Sequence, residues 1–203
     1  MVVIAIIAWF GIILQFFIST QKNLTKGLSV AWSMQHILSY FTIQNNILVA
    51  LALTIMLFAP SSSWGKFFSN RSTLTAIALY ITVVCLVYQI ILRPQHTFTG
   101  LFRLSDETLH SVTPPLFVLF WLILIPKANL PWSRAFKWLI YPLCYLAYVL
   151  IRGAIWGDYP YNFIDRNHIT YQQIALNSVG LLFVFLGLGL FFIAIDRLVK
   201  RSA

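Results

Sequence analysis

Two polar stretches interrupt an otherwise apolar chain, and both hold residue types that can do acid–base work. The first is Gln35–Asn46, QHILSYFTIQNN, and the second is Leu104–Phe117, LSDETLHSVTPPLF. In the second, His110 follows Asp106 by four residues and Glu107 by three, so either carboxylate lies on its helical face. An imidazole with a carboxylate one turn away can have one ring nitrogen fixed as a donor and the other left as a base. Thr113 lies near the same face. Pro114 and Pro115 each delete an N–H, which frees the carbonyls of His110 and Ser111 and puts a kink beside the histidine. An ionisable residue inside a membrane span is by default a functional residue. The plainer reading, a neutral imidazole satisfied by a neighbouring helix, loses weight because a carboxylate lies one turn away.

The first stretch supplies a polar wall. At about 100° per residue, Gln35, Ser39, Thr42, Asn45 and Asn46 share one face of a helix. Gln44 lies on the far side, and His36 is about 120° away. Amides and hydroxyls turned toward lipid would go unsatisfied, so the stripe must face the bundle interior or a cavity. Ser, Thr, Asn and Gln also tie helices together, but packing alone rarely needs so many on one face. A third stretch, Ile151–His168, IRGAIWGDYPYNFIDRNH, reads as a structured cap because of its aromatic and proline content. There Arg152 suits a carboxylate head group, and the competing reading is an arginine snorkelling at the interface.

Composition says what kind of element must hold these segments. The chain has 203 residues, 60% hydrophobic and 9% charged, with mean hydropathy +0.82. A soluble domain would carry about 25% charged residues. The apolar runs reach the roughly 20 residues that cross a bilayer. The expected fold is all-α, a polytopic bundle of six transmembrane helices forming a single domain over residues 1–203. The expected spans cover Val2–Ser19, Met34–Phe58, Thr73–Leu92, Asp106–Ile125, Ala135–Ile151 and Tyr171–Ile195. Trp32, Trp64, Trp132, Trp138 and Trp156 fall near their ends, as an aromatic belt requires. The opening run, MVVIAIIAWFGIILQFF, lacks a basic n-region and a small-residue cleavage site, so it reads as a retained span. Cys85 and Cys144 fall in apolar runs and read as buried free thiols.

The net charge of +9 is scattered through short connections. That fits anionic lipid head groups and not a nucleic acid. Lys66, Arg71, Lys127, Arg134, Lys137, Arg197, Lys200 and Arg201 fall on one side. Lys22, Lys26, Arg93, Arg103, Arg152 and Arg166 fall on the other. Eight against six of the 14 basic residues favours a cell-membrane protein with both termini cytoplasmic. With six spans, the starts of the second and fourth and the end of the fifth share one membrane face in either orientation. No Gly-rich phosphate loop appears, and His36 with His110 gives only one axial pair for a haem, so no cofactor or metal is expected.

Taken together, YFTIQNN on span 2, LHSVTPPLF on span 4, the YPYNFID connection and six spans in about 200 residues resemble a known superfamily. It is that of the androgen-induced and androgen-dependent (TFPI-regulating) membrane proteins, through its bacterial members. The resemblance runs over most of the chain on short motifs, and the proline pair and QNN triplet are more like the bacterial branch. Animal members are intramembrane threonine hydrolases that cleave fatty acid esters of hydroxy fatty acids. The resemblance implies an intramembrane lipid-ester hydrolase with Thr42 as nucleophile and His110 as base, acting on a membrane lipid or fatty acyl substrate. A Thr hydroxyl is a weak nucleophile until a base takes its proton. Asp106, or in its place Glu107, would orient the ring. Asn45 and Asn46, one turn from Thr42, would offer amide donors to the oxyanion, each worth about 3 kcal/mol. Gln35, His36, Ser39, Arg152 and Trp156 are the expected substrate-binding residues, and His36 is an alternative base.

One expectation strains this picture. On the spans drawn above, Thr42 lies about 12 Å past the start of its helix and His110 about 6 Å past the start of its own. The rival class is a small-molecule or proton-coupled membrane carrier, since polar stripes and prolines in spans also mark substrate paths. No inverted repeat supports it, and the carboxylates sit near span ends.

Overall fold

A computed structural model of the chain describes residues 1–95, 97–127 and 129–199. Lys200 and Arg201 of the charge balance lie outside the described residues. These residues form helices and connections, with no strand among them. Six helices are long and apolar enough to cross a membrane: Val2–Thr25, Phe41–Phe58, Arg71–Gln95, Gly100–Leu124, Arg134–Trp156 and Tyr171–Leu198. The all-α reading and the six apolar spans therefore stand. The chain packs as two compact units, Met1–Pro126 and Lys127–Ala203.

The first unit holds α1 (Val2–Thr25), α2 (Val30–Leu38), α3 (Phe41–Phe58), α4 (Ser63–Phe68), α5 (Arg71–Val87), α6 (Gly100–Glu107) and α7 (Thr113–Leu124). Helix α1 packs on α3 and α6, and α5 packs on α3 and α7. Val49, Ala50, Ala52 and Leu53 of α3 and Phe117 and Trp121 of α7 are buried in the core. Alanines on α3 let backbones approach closely, which is how helices gain contact where lipid removes the hydrophobic drive. Gly11 of α1 does the same. A Cβ there would stand 2.9 Å from Thr108 Cγ2 and 3.0 Å from Leu109 Cδ2. Polar cross-links pin the helices. Trp9 Nε1 donates to Thr54 Oγ1 (3.0 Å), Ser105 Oγ to Gln15 Oε1 (2.8 Å) and Trp121 Nε1 to Thr75 Oγ1 (2.9 Å). Ile6, Phe10, Ile13 and Phe17 of α1 point outward, an apolar face suited to hydrocarbon.

Span 2 departs from its drawn boundary. A single helix from Met34 is not formed, because the chain breaks at Ser39–Tyr40, where Tyr40 is extended (φ −76°, ψ 128°). The polar side chains cause the break and satisfy it. Ser39 Oγ donates to His36 O (2.6 Å), and Gln44 Nε2 reaches back to Leu38 O (3.0 Å). At the end of α2 the Leu38 carbonyl thus gains a side-chain donor, and His36 O gains one beside the Ser39 N–H. The common face computed across Gln35, Ser39 and Thr42 therefore does not exist, since no continuous helix joins them.

Span 4 begins at Gly100 and not at Asp106. Measured from the observed starts, Thr42 is at the very beginning of α3 and His110 is ten residues past Gly100. The order of the expected depths is reversed, yet the two side chains meet. Distance from a helix start is not a membrane depth here. Helix α6 opens on turns carrying Arg103, Asp106 and Glu107, and α3 is preceded by another helix.

Two π turns extend the apolar helices of this unit, Tyr88–Leu92 after α5 and Thr108–Val112 between α6 and α7. Each stops one residue short of a proline. Arg93 N–H bonds Tyr88 O ahead of Pro94, and Thr113 N–H bonds Thr108 O ahead of Pro114. A proline has no N–H to continue an i−4 ladder, and a one-residue bulge is one way to absorb that loss.

The second unit holds α8 (Arg134–Trp138), α9 (Ile140–Trp156), a 3₁₀ turn at Asn162–Ile164 and α10 (Tyr171–Leu198). Val149, Ile164 and Ile174 form its core, flanked by Tyr145, Tyr161 and Phe163. Gly157 ends α9 in the left-handed region (φ 67°), which favours glycine. Thr170 starts α10 with a capping box to Gln173. Cys144 is exposed and Cys85 half-buried, which corrects the expectation of buried thiols. An apolar run in such a chain can face lipid as readily as core.

Candidate active site

Asp106 lies in the last turn of α6, and the π turn that follows carries His110. His110 Nδ1 lies 2.8 Å from the Asp106 backbone oxygen and 3.1 Å from its Oδ1. A backbone carbonyl can only accept, so Nδ1 carries the proton and donates. The neutral ring then offers Nε2 as an acceptor. It stands 3.2 Å from Thr42 Oγ1. Thr42 is buried, and both members of the His110–Asp106 pair are largely so, at 12% and 13% exposure. A hydroxyl on α3, an imidazole and a carboxylate thus stand in line.

Asn46 braces this line. Its Nδ2 donates to Thr42 O (2.9 Å) and to Leu109 O (3.1 Å). The second bond follows from the proline pair. Thr113 N–H, the α-type donor for Leu109 O, is diverted to Thr108 O. The next N along, that of Pro114, carries no hydrogen. Asn46 supplies the missing donor from another helix. Asn45 Nδ2 donates to Phe41 O (2.7 Å). Both amides are wholly buried, and the Oδ1 of each has no hydrogen-bond partner. Asn46 therefore has no amide hydrogen left for an oxyanion, while Asn45 retains one.

An outer layer surrounds His110. The Tyr88 ring stacks on the imidazole with centroids 4.1 Å apart and planes 17° from parallel. The Tyr88 hydroxyl donates to Asp106 Oδ2. The Arg93 guanidinium stands over the Tyr88 ring at 6.0 Å. Arg93 also bonds Gln89 Oε1 (2.7 Å) and pairs with Glu107 (2.6 Å), and Gln89 Nε2 donates to Ser111 Oγ (2.8 Å). Glu107 is thus engaged with Arg93, and Asp106 is the carboxylate beside the ring. Sequence reasoning missed Tyr88 and Arg93. The signal was faint, a Tyr and an Arg flanking an apolar turn ahead of Pro94.

The remaining expected residues make contacts of their own. Gln35 is exposed, and Ser39 is buried at the end of α2. His36 stacks on Trp32 (4.8 Å between centroids), and its Nε2 lies 3.2 Å from Tyr40 Oη. Arg152 and Trp156 belong to the second unit. Arg152 is 3% exposed and donates to Asp158 O (2.7 Å) and Asp158 Oδ2 (2.8 Å), with its guanidinium 5.6 Å from the centre of the exposed Trp156 ring. It neither snorkels nor presents an open fork, and only its Nε is unpartnered. Among the described residues no group of three or more His, Cys, Asp or Glu is placed to hold a metal ion.

No family model, no curated protein and no solved structure matches this chain.

Proposed function

We propose that the protein is an intramembrane lipid-ester hydrolase of the Thr/His type, similar in chemistry to the threonine hydrolases its motifs resemble. The observation that carries this reading is the approach of Thr42 Oγ1 to His110 Nε2 at 3.2 Å, with Nδ1 tied to Asp106. That arrangement supports general-base activation of a hydroxyl and not merely a satisfied histidine. His110 Nε2 takes the Thr42 proton as Oγ1 attacks the ester carbonyl carbon. The Asp106 carboxylate stabilises the imidazolium that forms. Asn45, three residues along α3 from the nucleophile, offers its remaining N–H to the developing oxyanion. Collapse breaks the C–O bond to the alcohol, which leaves with the proton from Nε2. Water then gives a proton to the same nitrogen, attacks the acyl-threonine and releases the fatty acid, and Oγ1 recovers its proton.

The substrate class is a fatty acyl ester such as a fatty acid ester of a hydroxy fatty acid, reached from within a cell membrane with both termini cytoplasmic. The apolar helices that carry the site suit acyl chains. A fluorophosphonate probe on the purified protein in detergent tests the reading. Labelling at Thr42 that vanishes in Thr42→Ala and in His110→Ala is expected. Undiminished labelling in Thr42→Ala would overturn it and favour a carrier without hydrolytic activity.

A further inference from the structure

We infer that Tyr88 is a positioning residue for the His110–Asp106 pair, acting through its hydroxyl on the carboxylate and through its ring on the imidazole. This rests on the hydrolase reading above. The ring is stacked on His110 at 4.1 Å and fixes the plane in which the imidazole can turn. The hydroxyl donates to Asp106 Oδ2, so it holds the carboxylate with Oδ1 toward Nδ1. One oxygen of Asp106 is thus held by Tyr88 and the other faces His110. Tyr88 is itself held. It sits in the π turn whose closing residue, Arg93, reaches back over its ring while pairing with Glu107. Without the hydroxyl, a carboxylate that is 13% exposed can rotate, and Nδ1–H keeps the Asp106 backbone oxygen but loses the charge that stabilises the imidazolium.

Tyr88→Phe separates the two actions, because phenylalanine keeps the stack and removes only the donor. The fluorophosphonate labelling rate constant is measured for wild type, Tyr88→Phe, Asp106→Asn and the double variant. Tyr88→Phe is expected to slow labelling roughly tenfold, the value of one hydrogen bond to a charged acceptor. The double variant is expected to be no slower than Asp106→Asn alone, because the hydroxyl acts only through that carboxylate. Multiplying effects, or a Tyr88→Phe rate equal to wild type, would overturn the inference. A second readout does not need hydrolysis. The downfield ¹H resonance of His110 Nδ1–H, identified by its loss in His110→Gln, is expected to move or broaden in Tyr88→Phe. An unmoved resonance sinks the positioning role even if Thr42 proves not to be a nucleophile. Labelling that persists in Thr42→Ala sinks the hydrolase reading while leaving that resonance to judge Tyr88.

Discussion

Two aspartates sit one turn or a short loop from a basic side chain, and they serve opposite ends. In the first unit, Asp106 holds only one nitrogen of His110 and leaves the other facing a hydroxyl. In the second, Asp158 engages Arg152 through both its backbone and its carboxylate oxygen, and the pair closes on itself. Sequence made both basic residues candidates for binding or chemistry. The difference lies in what remains after the pairing. A histidine has two inequivalent nitrogens, so a partner on one prepares the other. A guanidinium offers donors only, and a loop carboxylate with a neighbouring carbonyl can absorb most of them.

That contrast can be broken by substitution. The largest effect is expected from His110→Ala, a loss of labelling of about a thousandfold with the thermal midpoint little changed. A parallel fall in the midpoint would make His110 a structural residue like Arg152. Arg152→Met should do the reverse. It is expected to lower stability by about 3 kcal/mol, the low end for a broken buried pair because Asp158 keeps 27% exposure, with labelling per folded molecule unchanged. Denaturant titration in detergent beside the labelling assay reads both. Asn46→Leu tests whether brace and chemistry are coupled. It strips a donor from the Thr42 and Leu109 carbonyls, and a cost of about 2 kcal/mol with a partial loss of labelling is expected. Thr170→Ala, which removes the capping box of α10, should cost about 1 kcal/mol and leave labelling alone. Glu107→Gln should do least, a few tenths of a kcal/mol, since its bridge to Arg93 is half in solvent. If instead it slows labelling as much as Asp106→Asn, the assignment of carboxylates is reversed.

The architecture was legible because helical spans are written in composition, as runs of about 20 apolar residues that satisfy their own backbone groups. The Asp106–His110 spacing was legible for the same reason, a short-range rule on one helix. What could not be read was the break at Ser39–Tyr40. Ser39 looks like a member of a polar stripe and Gln44 like a residue of the opposite face, but both bond the backbone where α2 ends. A periodicity count assumes the helix it is meant to test. The expected oxyanion role of Asn46 failed in a related way. Proline chemistry predicted freed carbonyls near His110, but the bulge moved the need to Leu109, and only a neighbouring helix could show which donor answers it. Tyr88 and Arg93 lie far from His110 in sequence, and no local rule connects them.

The double grip of Asn46 carries a mechanical corollary. One amide on the helix of Thr42 clasps the backbone that bears His110, one residue from it. In a bilayer that thickened, thinned or tilted these rods, the gauge between hydroxyl and imidazole would be set by a local clasp and not by the lie of the bundle. On the proposed hydrolase reading, sensitivity to lipid thickness should therefore surface in how substrate arrives before it surfaces in the bond-breaking itself.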